Sequence, residues 1–240
     1  MRNSIVLGDC LEVLPKVPSH SVDLILSDLP YQITQNSWDV LVDLNKLWVE
    51  YRRIIKDRGV IALTASGLFS AQLILAAPDL YKYSLVWKKN KPRGFLNANR
   101  QPLRSHEDIL IFYKKSPTYN PQKTTGHTPT HTYTKHTSDG SNYGKTKQGI
   151  SGGGSTERFP TSVIEIPVVN NPSHPTQKPV ELGHWLIKTY SNEGDFVVDN
   201  TCGSGSFVLA AAELKRDYLG IELNEDYYKI ALNRLKESKL

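Results

Sequence analysis

"DFVVDNTCGSGSFVLAAAELKRDYLGIEL", Asp195–Leu223, changes its hydrophobic period twice within one short stretch. Phe196–Val198 is an apolar run between two acids, the mark of a short buried strand. After Asp199 the chain passes through Gly203 and Gly205 into "SFVLAAAELK", whose small and apolar residues predict a helix. "YLGIEL" restores the strand signal and ends near Glu222, and "EDYYKIALNRLKESKL" predicts a last helix. Glycines in a strand-to-helix turn permit positive φ and let backbone N–H groups approach a ligand closely.

A unit of two strands and two helices cannot cover its own faces. A glycine-turn site of this kind lies at a switch point flanked by further strands, and here those strands must come from earlier in the chain. "SIVLGD" (4–9), "VDLILSD" (22–28), "VIALTAS" (60–66), "YKYSLVWKK" (81–89) and "DILIFYKK" (108–115) supply them. Helices are predicted over 42–57, starting near Asp43 with Gly59 just beyond the end, and over 68–78, ending at Pro78. Another follows a proline-rich turn within His174–Tyr190. Strands alternating with helices predict an α/β fold, a Rossmann-like doubly wound sheet that is mostly parallel and covered on both faces. The N-terminal and C-terminal strands then share one sheet. Residues 1–115 form one half of the domain, 116–171 an insertion and 172–240 the other half.

With 240 residues, 39% of them hydrophobic and 22% charged, the chain suits a single large soluble domain carrying an insertion. The net charge of +5 is compatible with an anionic partner, although positive charge also serves solubility. Only Cys10 and Cys202 are present, which excludes a disulfide framework and a four-cysteine zinc site. No apolar run approaches the ~18 residues of a membrane span, and "MRNSIVLGDC" is too short for a secretory signal. A cytoplasmic protein without membrane contact is expected. Residues 116–171 are rich in Thr, Gly, Ser, His and Lys, as in "GHTPTHTYTKHTSDGSNYGKTKQGISGGGST" (126–156), and carry no period. They are expected to form a mobile loop. His127, His131 and His136 are spaced like metal ligands but lack a helix or cysteine partner, so no metal site is assigned.

The turn after Asp199 suits a nucleoside cofactor, with the Glu222 carboxylate placed to accept from both ribose hydroxyls. A dinucleotide fingerprint needs a small residue where Val208 stands, which disfavours a nicotinamide-dependent oxidoreductase. A P-loop needs Lys and then Ser or Thr where Ser206 and Phe207 stand. A cofactor without a pyrophosphate fits better, and S-adenosyl-L-methionine is the candidate.

"SDLPY" (27–31) resembles the D-P-P-Y motif of S-adenosyl-L-methionine-dependent DNA amino-methyltransferases. "LGDCLEVL" (7–14) resembles the turn that precedes that motif in the family. "HPTQKP" (174–179) is similar to the stretch before the cofactor helix, and "DNTCGSGSF" with "YLGIEL" to the family's glycine-turn and G-I-E pair. The order, catalytic motif first and glycine turn last, is that of the β group. The resemblance implies the class I methyltransferase fold with permuted motif order. It makes 1–115 the catalytic half, 172–240 the cofactor half and 116–171 the target-recognition region.

Carried over by position, the resemblance makes Asp28, Leu29, Pro30 and Tyr31 catalytic. Exocyclic base amines are poor nucleophiles because their lone pair is conjugated with the ring. The Asp28 carboxylate and the Leu29 carbonyl would accept the two N–H groups and aim the lone pair, so that positioning supplies much of the rate. Tyr31 offers a flat face to a base flipped out of the duplex, and Pro30 fixes the backbone that presents it. Asp9 and Cys10 match positions at the cofactor adenine. Thr176, Gln177 and Lys178 match positions at the methionine moiety, with Lys178 facing its carboxylate. Asp199, Asn200, Thr201, Gly203, Gly205 and Ser206 line the turn, and Glu222 matches the ribose binder. Leu29 replaces the family's first proline, and Asn200–Thr201 replace Pro-Phe.

An acidic first motif residue resembles the adenine-N6 members, whereas cytosine-N4 members more often carry serine there. Cytosine-N4 transfer is the alternative within the class, and a non-catalytic DNA-binding protein on the same fold is the alternative outside it. Double-stranded DNA is the expected partner. Lys89, Lys91, Arg93, Arg100 and Arg104, together with Lys88, form a run without an acid until Glu107 and are assigned to phosphates or bases. Lys123, Lys135, Lys145, Lys147 and Arg158, set among Tyr119, Tyr133 and Tyr143, extend that surface. Trp38 is assigned to packing. Related enzymes often pair, so a homodimer is a further expectation.

Overall fold

The structure, a computed structural model, describes residues 1–30, 42–135, 150–170 and 177–238. Tyr31, Trp38, His136, Tyr143, Lys145, Lys147 and Thr176 lie outside the described residues. The first strands and helices are β1 (Ser4–Leu7), α1 (Cys10–Val13), β2 (Val22–Ser27), α2 (Leu44–Ile54), β3 (Ile55–Ala65), α3 (Leu68–Ala76), β4 (Tyr81–Arg93) and β5 (Arg104–Phe112). Short strands β6 (Tyr133–Lys135), β7 (Ile150–Gly152) and β8 (Val163–Glu165) follow. The chain then forms α4 (Val180–Tyr190), β9 (Phe196–Asp199), α5 (Ser206–Glu213), β10 (Asp217–Glu222) and α6 (Glu225–Glu237). Among the described residues no helix is long and apolar enough to cross a membrane.

Residues Met1–Asn120 and Ser162–Leu240 form one compact unit, and Pro121–Thr161 form a second. In the first, eight strands make one sheet in the order β1-β10-β9-β2-β3-β5-β4-β8. β1, β10, β9, β2 and β3 are parallel, while β5 runs antiparallel to both its neighbours. The last strands of the chain thus sit between the first two, through Leu24↔Val197 and Ile25↔Val198. In the second unit β6 and β7 pair antiparallel. Lys123 lies 2.8 Å from Glu157 and stacks over Phe159 at 4.8 Å.

The strands read as unbroken apolar runs because both faces of the sheet are covered. Ile25, Ile61, Leu63, Leu110, Phe112 and Val198 turn to one face and meet Leu47, Trp48, Tyr51, Phe69 and Leu73 of α2 and α3. Their neighbours Leu24, Leu26, Val60, Ala62, Ile109, Ile111 and Val197 turn to the other and meet Leu182, Leu186, Phe207 and Ala210 of α4 and α5. The period of two sorts adjacent residues into opposite cores.

α6 closes the cofactor end, packing Ala231 with Ile5, Cys202 and Val208. Gly205 has φ 77, and a Cβ there would lie 2.9 Å from Ala231 Cβ. Gly205→Ala therefore combines a left-handed backbone with an overlap against α6. It is expected to cost about 2–3 kcal/mol of stability, measured as a lower urea midpoint at unchanged slope.

Three sequence expectations change. α2 ends at Ile54, before the predicted Asp57, and passes directly into β3, so Gly59 lies inside a strand. Pairing Val22↔Ile55 and the Lys56–Asp23 ion pair at 2.7 Å capture those residues for the sheet. The strands predicted over 81–89 and 108–115 extend to Arg93 as β4 and back to Arg104 as β5, so they carry all of the basic run except Arg100. Val163–Ile164 of the 116–171 segment belong to the sheet as part of β8, opposite Val86 and Trp87. Ile164 is buried and the Trp87 indole donates to the Ile166 carbonyl at 2.8 Å, so the alternating "VIEI" acts as an edge strand.

Candidate active site

Parallel strands direct their carboxyl ends to one edge, and in a doubly wound sheet that edge is where ligands bind. There β10 and β9 end on Glu222 and Asp199, and Asp9 and Asp28 follow just past the ends of β1 and β2. Asp9 caps α1, accepting from the Leu11 N–H at 2.8 Å, while Gly8 N donates to the Glu222 carbonyl at 2.9 Å. Glu222 accepts from Gly203 N at 2.7 Å and from Asn224 N at 2.8 Å, which ties the glycine turn to β10. Burial pushes its carboxyl up against the opposing pull of those N–H groups. Gly203 has φ 52, and Arg234 of α6 holds the turn from behind, donating to the Ser204 carbonyl at 2.6 Å. The same guanidinium lies 3.1 Å from Ser206 Oγ, so that hydroxyl faces α6.

Asp199 is buried at the end of β9, accepting from Thr201 N at 3.3 Å. Burial pushes its carboxyl up to about 8, and the charges of Asp28 and Glu222 add to the effect. Asn200 accepts from the Ser27 hydroxyl at 2.8 Å and from the Tyr51 hydroxyl, joining β9 to β2 and α2. Among the described residues its buried Nδ2 has no hydrogen-bond partner. The neighbouring Cys10 thiol is pushed up to about 11 by burial, so it stays protonated. Converging carboxylates, an unused amide donor and a glycine turn with positive φ fit a nucleoside that carries a cation.

The second half of the site begins where β2 stops. Asp28 Oδ1 accepts from Thr64 Oγ1 of β3 and Oδ2 from Lys178 Nζ. Its backbone carbonyl accepts from Thr201 Oγ1 at 3.0 Å, linking the two ends of the chain. Leu29 is buried, with Pro30 half-buried beside it. Lys178, just before α4, is 8% exposed and also lies 3.4 Å from Glu107 Oε2, and Glu107 in turn pairs with Lys89. Burial works to lower the Lys178 ammonium's pKa, but the Asp28 and Glu107 carboxylates outweigh it and hold it raised. Glu107 is held below its ordinary value because Lys178 and Lys89 more than offset its burial.

Two of the assigned lysines have protein partners. The Lys178 ammonium, expected at a methionine carboxylate, sits on Asp28 and Glu107. Lys89, expected at DNA, is turned inward, because strand alternation puts it on the same side as buried Trp87, whose ring it covers at 4.7 Å. Of the other basic residues, Lys91 donates to Asn170 at 2.6 Å and Arg104 to Ser66 at 2.7 Å. Arg93 and Arg100 are exposed on the β4–β5 hairpin. Thr64, Glu107, Ser27, Tyr51 and Arg234 were not singled out by sequence. Thr64 had one signal, a polar residue inside an apolar strand, and Glu107 another, the first acid after the basic run.

The strand order, with one antiparallel strand near its edge and a glycine turn beside paired acids, defines a class I methyltransferase fold. Residues 22–233 match the family model of the N6/N4 methyltransferases, described as DNA methylase. The chain is 30% identical over 256 residues to the DNA adenine methyltransferase YhdJ of Escherichia coli (strain K12), covering 97% of this chain and 82% of that protein. Among solved structures it resembles the M1.HpyAVI–SAM complex, with TM-score 0.66, 22% identity and coverage of 97% and 99%. It also resembles PvuII DNA methyltransferase (cytosine-N4-specific), with TM-score 0.69, 14% identity and coverage of 98% and 86%. At those identities the two structures bear on the fold alone. The chain belongs to the N6/N4 DNA methylase family, the S-adenosyl-L-methionine-dependent DNA amino-methyltransferases.

Proposed function

We propose that this protein transfers a methyl group to the exocyclic N6 of an adenine flipped out of double-stranded DNA. The observation that carries the reading is Asp28. A carboxylate stands at the carboxyl end of β2 with both oxygens oriented, and its own carbonyl is bonded to the glycine turn. The acid at this motif position and the adenine-acting relative favour adenine over cytosine.

S-adenosyl-L-methionine, when bound, supplies an electrophilic methyl on a sulfonium. Asp9, Asp199, Asn200, Gly203 and Glu222 form the edge that would hold it. Asp28 and the Leu29 carbonyl accept the two amine N–H groups, restraining the nitrogen so that its lone pair faces the donor carbon. Both Asp28 oxygens are already fixed by Thr64 and Lys178, so little reorganisation accompanies the reaction. The methylated nitrogen sheds its extra proton to solvent, because both Asp28 oxygens already accept hydrogen bonds and the ammonium on Oδ2 stays charged.

Methylated nucleosides measured after digestion of host DNA, with and without expression, test the reading. N6-methyladenine is expected. N4-methylcytosine overturns the choice of base, and the absence of both overturns the enzyme reading.

Asp199 adds a binding prediction. A cation held near it would favour its charged form, so cofactor binding would release a proton and tighten as pH rises toward 8. Dissociation constants by calorimetry are expected to fall roughly tenfold or more between about pH 6 and 8, with Asp199→Asn flattening the profile. The sign for stability is opposite. A carboxyl raised by folding makes the ligand-free fold less stable as pH climbs through that range.

A further inference from the structure

Between Asp79 and Glu107 the chain holds Lys82, Lys88, Lys89, Lys91, Arg93, Arg100 and Arg104 and no acid. Much of this run forms the β4–β5 hairpin, in which Arg93 stands opposite Arg104. Like charges directly opposite in a strand pair repel, and an anion between them would relieve that. At the turn, Gly94 has φ 95 and Phe95–Asn97 form one helical turn. There Phe95 is 68% exposed and Leu96 101% exposed. An aromatic and an aliphatic side chain thus stand in water at the end of a cationic arm.

The arm's position gives the tip its meaning. Its inner end carries Glu107 and Lys89, which reach Asp28 through Lys178, and Arg104 is bonded to Ser66 just past β3. From Glu107 the strand runs outward to Arg104, about 10 Å at ~3.3 Å per residue, and the turn lies beyond. The apolar tip therefore projects past the edge of the sheet on which Asp28 stands.

We propose that Phe95 and Leu96 form a wedge that enters double-stranded DNA beside the target base, while Lys91, Arg93, Arg100 and Arg104 hold the flanking phosphates. A base that leaves the duplex opens a gap and loses its stacking. Apolar side chains inserted between base steps unstack and kink the duplex in other DNA-binding proteins. The inference rests on the DNA-methylating reading above and adds to it the residues that open the duplex.

The test uses the full chain with S-adenosyl-L-methionine and a duplex carrying its methylation site, mapped by modification-sensitive sequencing. Phe95→Ala/Leu96→Ala alters only exposed side chains, so melting temperature and cofactor affinity should match wild type. On the intact duplex its single-turnover rate is expected to fall about 10- to 100-fold. On a duplex with an abasic site opposite the target, already unstacked, it should return to within about twofold of wild type. Fluorescence of 2-aminopurine at the target position should rise on binding wild type and stay low with the variant. Phe95→Trp, which keeps a flat apolar ring, should retain the rate. Equal rates for variant and wild type on intact duplex overturn the wedge. If equal rates come with a dimer in sedimentation that the variant dissociates, the tip belongs instead to a contact with a second copy of the chain. Failure of wild type to methylate any DNA overturns the underlying reading.

Discussion

Asp28→Ala is expected to lower methyl transfer ~10³-fold or more while leaving cofactor affinity within a few fold. Removing one preorganised electrostatic partner of a reacting group typically costs 10²–10³ in rate, and Asp28 also sets the angle of the attacking nitrogen. Cofactor binding survives because Asp9, Asn200, Gly203 and Glu222 are positioned by other strands and the turns after them, and because the Asp28 contact to Thr201 is made by the backbone carbonyl. The fold survives as well. Lys178 keeps Glu107 at 3.4 Å, so the loss stays below the ~3–5 kcal/mol of a broken buried ion pair. Single-turnover transfer of labelled methyl, calorimetric cofactor binding and a thermal melt separate these effects. Turnover near the wild-type rate would remove Asp28 from the chemistry.

Lys178→Met is expected to have the largest effect on stability. Two half-buried carboxylates, Asp28 and Glu107, lose the buried ammonium between them, and the cost near neutral pH is about 3–5 kcal/mol. The pH dependence distinguishes this from a simple packing defect. In wild type, Glu107 is held below its ordinary value. It therefore stabilises the fold above the usual carboxylate range, and that stability is lost as pH falls through its lowered value. Lys178 is held above its ordinary 10.5, so its contribution is complete at neutral pH and lost only above that range. Without the lysine, one of the two carboxyls gains by taking a proton. The penalty should then be greatest near neutrality and shrink toward about pH 5. Adding Glu107→Gln should recover part of the loss, giving a coupling of about 1–3 kcal/mol in the double-mutant cycle. Urea unfolding at several pH values measures all of this, and a penalty independent of pH would overturn the charge account.

The cofactor edge was legible in the sequence because its signals are local: an apolar run, an acid, glycines, a helix and a second acid follow one another in Asp195–Glu222. The shared sheet followed from a general rule about uncovered faces. Contacts across the fold were not legible. Lys178 meets Asp28 from 150 positions away, and only the register of β4 on β5 reveals that Lys89 and Glu107 lie beneath that pair. A lysine in a motif reads as a cation without an address. α2 and β3 were misjudged at their junction because Ile54 and Ile55 satisfy both a helical and a strand pattern. β8 was missed because a few alternating residues carry little weight beside a long polar segment.

The placement of β9 and β10 between β1 and β2 governs how the chain can be made. During synthesis the first strand leaves the ribosome with its neighbour in the sheet still untranslated, since among the described residues β1 pairs with β10 alone. The early half therefore waits with open edges and apolar surface until β10 has been made. That delay slows maturation and exposes the nascent polypeptide to aggregation. A truncation that removes the last two strands would strand the first one, so no shortened fragment should mature into a partly working enzyme.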